Sequence, residues 1–353
     1  VRSGIAAYTA ELVPLLAEEH GVDVYWAQSQ AASQHGAVPD ATSHRATGHA
    51  LSEVSGVQLL SAHEFIPRHT LDPYDLIVYQ LGNAACHDDM WPYLLRYPGL
   101  VVLHDAALHH SRARALLTRG RRDDYRAEFH YAHPGAPRDL AEFIVEGLQG
   151  APYYLWPLTR IVVEAARVVA VHGDRLAEML SETYPTAPIR PLRMGVRPHA
   201  AAAERREGGP VFACYGLVTP EKRIPQVLGA FAGIAASLPA ARLLLVGDTT
   251  PYYDLEADVV RYGLRDRVTV TGFVADEVLD EWLSAADVCV CLRWPTTREM
   301  SASWLRCLAA GKPTVITDLA HMVGVPSLDP RSWTLVSARE DAAATMRPPR
   351  VAD

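Results

Sequence analysis

The sequence predicts an α/β protein of two doubly wound domains facing a cleft, and three observations carry that expectation. Short apolar runs bounded by Gly, Pro or charge alternate with helix-length amphipathic segments almost throughout, the pattern of parallel sheets covered on both faces. The chain has 353 residues, too many for one ordinary domain and enough for two with separate cores. Its composition is 49% hydrophobic and 21% charged, without the run of about 18 apolar residues that a membrane span needs, so it reads as soluble.

The C-terminal half shows the pattern best. Strands are expected at Pro210–Gly216, Arg242–Gly247, Arg267–Thr271, Asp287–Leu292 and Pro313–Thr317. Helices fill the intervals Ile224–Ala236, Tyr253–Tyr262, Asp276–Ala285 and Glu299–Ala310, whose apolar residues recur every three or four positions. In the N-terminal half a helix over Ile5–Ala17 precedes strands at Val22–Trp26, Leu76–Gln80, Leu100–His104 and Val168–Val171, and a strand before residue 1 would complete the sheet. The Ala, Ser, His and Gly-rich stretch Gln28–Ser55 reads as a loop, and Ala106–Ala166 as helices broken at Pro134, Pro137 and Pro152. The expected division is a domain over 1–190, a hinge over 191–209, a second domain over 210–330 and an irregular tail over 331–353. Val1 enters a helical pattern directly, which suggests a missing N-terminus, and the fading tail reads as disordered or truncated.

The formal net charge of −8, from 33 basic and 41 acidic residues, argues against nucleic acid as a partner, since a phosphate backbone selects basic surfaces. Local basic spots can still hold a small phosphate. Cys86, Cys214, Cys289, Cys291 and Cys307 are scattered without C-x-x-C spacing, so neither a disulfide framework nor a zinc site is expected, and a reducing cytoplasm is the simplest setting.

Candidate site residues lie at the carboxyl ends of expected strands, where open α/β sheets bind ligands. In the stretch 212–224 a buried strand ends at Gly216 and turns through Pro220 into a helix, so backbone N–H groups with Lys222 and Arg223 can meet an anionic phosphate. The alternative is a solvated basic pair, although positive charge at a helix start opposes the macrodipole. Glu299 is expected at the entrance of the next helix, where it can accept hydrogen bonds from sugar hydroxyls while Met300 and Ser301 offer backbone donors; it can equally be a plain N-terminal stabilising Glu. His104 and Asp105 end the strand Leu100–His104 at the crevice, with packing and helix capping as their alternatives. His109 and His110 follow on the next helix, as acceptor ligands or as solvated positions, and their spacing from His104 makes no metal set. Gly4, in the loop opening the first helix, is a candidate phosphate or sugar contact, with a plain N-cap at Ser3 as the equal alternative. Asn83 and His87, after the VYQLG strand end, are candidate acceptor contacts, as is Asp105.

The segments GLVTPEKR, LLLVGD, RVTVTGFV, LSAADVCVCLR and LAAGKPTVITD, in that order, resemble the retaining family-four glycosyltransferases of the Rossmann-like GT-B fold. The likeness covers roughly 209–320 well, and RSGIAAYTAEL, VYQLGN and LVVLHDAALHH look like a bacterial subgroup of the same family. It implies transfer of a sugar from a nucleoside-diphosphate co-substrate with retention of configuration, without a metal or other cofactor. The acceptor is then a sugar, a lipid-linked molecule or a small molecule, with peripheral membrane association left open. By the same resemblance Lys222 contacts the donor phosphates beside Gly216, His104 meets the donor sugar, and Val274 is a donor sugar- or nucleotide-binding residue. Leu217 departs from the family, many members of which carry a phosphate-holding Arg there, and Arg223 is a candidate substitute. Of the family's two glutamates, the ribose position falls on Arg306 and the sugar position on Arg298 or, shifted by one residue, Glu299, which takes that role. Front-face transfer is expected, the leaving phosphate itself taking the acceptor's proton. A degenerate sugar-nucleotide-binding protein, or an epimerase or phosphorylase on the same fold, remains as an alternative.

Overall fold

The computed structural model describes residues 4–26, 54–198, 208–322, 325–329 and 331–336. The chain divides into two compact units, one of Val1–Arg193 with Thr297–Met300 and one of Met194–Thr296 with Ser301–Asp353. Most of the 28–55 loop, residues 2–3, residues 199–207 of the expected hinge and the end of the tail lie outside the described residues.

In the first unit the helix Gly4–Leu16 leads to a parallel pair, β1 (Val22–Trp26) and β2 (Val57–Ser61). A four-stranded parallel sheet follows in chain order, made of β3 (Val78–Leu81), β4 (Leu100–Leu103), β5 (Val168–Val171) and β6 (Ile189–Pro191). The sequence reading placed neither β2 nor β6. The half-exposed VQLLS of β2 lacks the apolar run that marks a buried strand, and β6 has only three residues ending in a proline, tolerated because it is an edge strand. Trp91, Leu103, Val162, Val169 and Leu176 form the core of this sheet. Between β4 and β5 a helical cluster packs Tyr125, Phe129, Ile144 and Leu158 into a second core.

The second unit holds β7 (Val211–Tyr215), β8 (Arg242–Val246), β9 (Val268–Gly272), β10 (Val288–Cys291) and β11 (Thr314–Ile316). Their spatial order is β11-β10-β7-β8-β9, all parallel. The first strand is therefore central, and the winding reverses between β7 and β10. Strand periodicity explains why both faces are covered. Cys214, Leu243 and Leu245 face a core with Ile224, Leu228 and Phe231 of the helix Ile224–Ser237, while Ala213, Tyr215, Leu244 and Val246 face Leu283, Cys307 and Ala310. Past Ser327, where the sequence pattern fades, β12 (Ser327–Leu328) and β13 (Leu335–Val336) make a short antiparallel pair. No helix of the described residues is long and apolar enough to cross a membrane.

Candidate functional site

The reversal point of the second sheet lies between the carboxyl ends of β7 and β10, and their loops carry most of the expected donor-side residues. After Tyr215 the chain turns at Gly216 with φ 83°, and Gly216 N–H donates to Val246 O at 2.8 Å. A Cβ at Gly216 would stand 2.6 Å from Lys222 Nζ and 3.1 Å from Ser303 Oγ, so the dihedral favours glycine and a side chain there would push the ammonium aside. Thr219 caps the short turn Pro220–Lys222, and Arg223, in the left-handed region at φ 59°, passes the chain into the helix Ile224–Ser237. Trp294 N–H donates to Glu221 O at 2.8 Å, which ties the loop after β10 to the loop after β7.

The Lys222 stem is partly exposed, but its ammonium folds back under the loop and donates to Tyr215 O. Burial, and then the positive charge of Arg293, push its pKa down to about 8. Among the described residues no carboxylate forms an ion pair with it. Two cations beside a glycine turn, facing the start of the helix Ala302–Ala309, suit a bound anion, whose charge would offset the desolvation of Lys222. Arg293 and Ser303 escaped the sequence reading, although the rule that singled out His104, a polar residue just beyond a buried strand, also picks out Arg293.

Several expectations change. The last helix starts at Ala302, not Glu299, because the Ser301 hydroxyl accepts from Trp304 N–H at 3.3 Å and acts as the N-cap. Glu299 therefore lies before the helix and shares no helical face with Arg306. Arg306 sits in the last turn, where the helix dipole favours positive charge. Val274 packs its side chain against the core beneath the sheet. Leu217 is exposed. Gly4 opens its helix at an exposed position.

Glu299 and Met300 group with the first unit. Ala107 N–H donates to Thr297 O at 3.0 Å, Arg298 adopts φ 61°, and Met300 Cε lies 3.8 Å from a Cβ built on Gly173. The Thr297 hydroxyl lies 2.7 Å from Asp105 Oδ1 and 2.9 Å from Glu299 Oε2. One hydroxyl proton thus stands between two carboxylates. Asp105 Oδ2 also accepts from Asn83 N–H at 2.7 Å, so Asp105 holds two loops together and does not cap the helix after it. Nothing in the sequence pattern pointed to Thr297.

His104 stands at the end of β4 as expected, yet it is 7% exposed and both ring nitrogens are engaged, with Gln80 Oε1 at 2.7 Å and His172 Nε2 at 3.0 Å. Burial, with the nearby His172 and His87, pushes its pKa down to about 3, so it is neutral at pH 7. The acceptor-side expectations fare worse. His109 is fully buried, with Nδ1 2.6 Å from Trp156 O and Nε2 2.6 Å from Tyr125 Oη; the first turn of its helix faces the helical core and not solvent. It is a packing residue. His110 also lies among aromatic rings, edge-on to Tyr153 and Tyr154. Asn83 spends its side chain on Ala107 O and Ser111 N–H, which pins the start of the helix His109–Leu117. His87 is 4% exposed, its pKa held near 4 by burial, and neither ring nitrogen has a hydrogen-bond partner of good geometry among the described residues.

No group of three or more His, Cys, Asp or Glu side chains among the described residues is arranged to hold a metal ion, and the five cysteines form no disulfide. A cavity of about 310 Å³ in the second unit, lined by Thr249, Tyr253, Glu256 and Val270 among others, contains none of the expected site residues.

Residues 209–346 match the protein family described as "Glycosyl transferases group 1". A 2-deoxystreptamine glucosyltransferase of Streptomyces kanamyceticus is 33% identical over 129 residues, 35% of this chain and 33% of that protein. An alpha-D-kanosaminyltransferase of the same organism is 26% identical over 155 residues, 44% of this chain and 38% of that protein. The matched segment thus spans between a third and two fifths of these relatives' length. Among solved structures, sucrose-phosphate synthase of Thermosynechococcus elongatus superposes with a TM-score of 0.55 at 18% identity, covering 94% of this chain and 79% of that one. WaaG, a glycosyltransferase involved in lipopolysaccharide biosynthesis, gives 0.54 at 15% identity over 90% and 78%. Anabaena HepE, solved with UDP and glucose, gives 0.50 at 14% over 90% and 77%. At such identities the likeness is one of fold, and the fold is the α/β architecture of the GT-B glycosyltransferases.

Proposed function

We propose that this chain transfers a sugar from a nucleoside-diphosphate sugar to a hydroxyl-bearing acceptor with retention of anomeric configuration. The observation that carries this reading is the Lys222 ammonium, desolvated under the Gly216 turn beside Arg293 and without a carboxylate partner among the described residues. Breaking an anomeric bond to a diphosphate builds negative charge on the leaving oxygen, and fixed cations with backbone N–H groups are the economical way to stabilise it. Arg223, partly exposed at the head of the following helix, is the further cation in reach of that loop.

Glu299 serves in this reading as the carboxylate for donor-sugar hydroxyls, with the Thr297 hydroxyl beside its Oε2. The leaving phosphate takes the acceptor's proton, so no side-chain base is required. HepE, solved with UDP and glucose, supports a uridine nucleotide as the first donor to try. The relative named for 2-deoxystreptamine supports a small polar acceptor rather than a lipid-linked one.

The test is calorimetric titration of UDP, GDP and dTDP, followed by product analysis with the matching sugar nucleotides. Lys222→Ala should weaken diphosphate binding by about tenfold or more, ~1.4 kcal/mol, with little change in melting temperature. Equal binding by the variant removes Lys222 from the site. Epimerised sugar formed from donor alone replaces transfer by epimerisation, and tight binding without turnover on any acceptor leaves a nucleotide-sugar-binding protein.

A further inference from the structure

Four groups, one from the carboxyl end of each strand of the four-stranded sheet, form a row across the first unit. Gln80 of β3 meets His104 after β4 at 2.7 Å, His104 Nδ1 meets His172 Nε2 after β5 at 3.0 Å, and His172 Nδ1 meets the Leu192 carbonyl after β6 at 3.0 Å. His104 and His172 are 7% and 3% exposed, with Tyr8 of the first helix edge-on to both rings. Of the three side chains in the row only Gln80 is partly exposed, and it ends the row.

Counting protons fixes the polarity of this row. A carbonyl only accepts, so His172 carries its proton on Nδ1 and offers a bare Nε2, which accepts from His104 Nδ1–H. A neutral His104 then has a bare Nε2, which needs a donor from Gln80. With Gln80 Oε1 facing the ring, the two imidazoles together must hold three protons, one more than the neutral pair. The two ends of an amide have the same shape, so the partner decides which end turns inward. The groups facing the rings are Tyr8 from the first helix and His87 from the turn after β3, with no carboxylate among them. Burial pushes both histidines down in pKa, which favours the neutral pair.

We infer that Gln80 is a ligand-reading residue: the His104–His172 pair draws its amide NH₂ inward and leaves Oε1 facing outward, to accept a hydrogen bond from a hydroxyl or ammonium group of a small polar ligand. This rests on taking the first unit as the acceptor-binding half. His172, which acts through His104, is a positioning residue.

Selective ¹⁵N labelling of histidine with long-range ¹⁵N–¹H correlation reads the row at pH 7. Both rings should carry the proton on Nδ1 with Nε2 bare. Gln80→Glu replaces the amide by a group that only accepts, so the pair should take up its third proton at least about one pH unit higher than in the wild type. In a second arm, UDP-glucose, methyl α-glucoside and 2-deoxystreptamine are added at millimolar concentration. At least one should shift the Gln80 side-chain amide resonance, and Gln80→Leu should weaken that probe by about tenfold, the worth of one good polar contact. A proton on His104 Nε2 at pH 7, an unmoved titration in Gln80→Glu, no probe touching the amide, or unchanged probe affinity in Gln80→Leu each overturns the inference. Failure of the wild type to bind UDP sinks the donor reading instead, and leaves the tautomers and amide shifts to decide this one.

Discussion

At the scale of the residue, Lys222 is the group whose state can be titrated. Its pKa is held near 8 by burial first and by Arg293 second, so its charge begins to fade just above neutrality, whereas in an unfolded chain it would persist to about 10.4. Between those limits the unfolded state holds more protons, so this lysine makes folding more favourable as pH rises from 8 toward 10.4. A diphosphate in the loop reverses the balance for binding, because only the ammonium attracts it. UDP affinity measured by calorimetry should therefore fall as pH passes about 8, while Lys222→Ala shows a flat profile over the same range. A wild-type profile as flat as the variant's would show that the ammonium does not meet the phosphate. The lysine itself was legible in the sequence because a basic residue at a helix start is costly. Its inward fold was not, since that depends on the space left by Gly216.

Strand and helix positions in the second unit follow the apolar pattern to within about three residues, because the central strands are buried on both faces and each crossover helix carries an apolar stripe. The helix Asp276–Ala285 matches its expected bounds, while the Glu299–Ala310 helix starts three residues late, at Ala302. There the hydrogen bond from Trp304 N–H to the Ser301 hydroxyl makes Ser301 the cap, so the helix begins after it and not at Glu299. Ser301→Ala should cost about 1 kcal/mol in denaturant unfolding, and Ser301→Asp should recover most of it. No loss in Ser301→Ala would mean that the cap does not set the helix start. His109 was misread for a related reason: spacing along one helix cannot show that Tyr125 and the Trp156 carbonyl come from other elements to receive both ring nitrogens. The segment 297–300 was equally illegible as a clip, because the contact of Thr297 with Asp105 joins residues 192 apart in sequence.

At the scale of the whole molecule, the two units differ in what they bury. His87, His104, His109, His133 and His172 all belong to the first unit, and burial is the leading cause of the lowered pKa of each, to about 4, 3 and 4 for the first three. An unfolded chain would protonate these rings near pH 6.5. Below that pH the unfolded state therefore binds more protons than the folded one, and stability of the first unit falls until the folded pKa values are reached. Three such groups give a slope on the order of 4 kcal/mol per pH unit at most, which is large against ordinary domain stability. Among the described residues the second unit buries a single histidine, His321, against four in the first, and its ligand is expected to be a nucleotide. Scanning calorimetry from pH 7 to 5 should then resolve one transition that drops steeply with acid and another that UDP raises by mass action. Parallel movement of both transitions with acid would locate the acid sensitivity outside these histidines. Separate responses, acid on one transition and nucleotide on the other, would assign each transition to its own core.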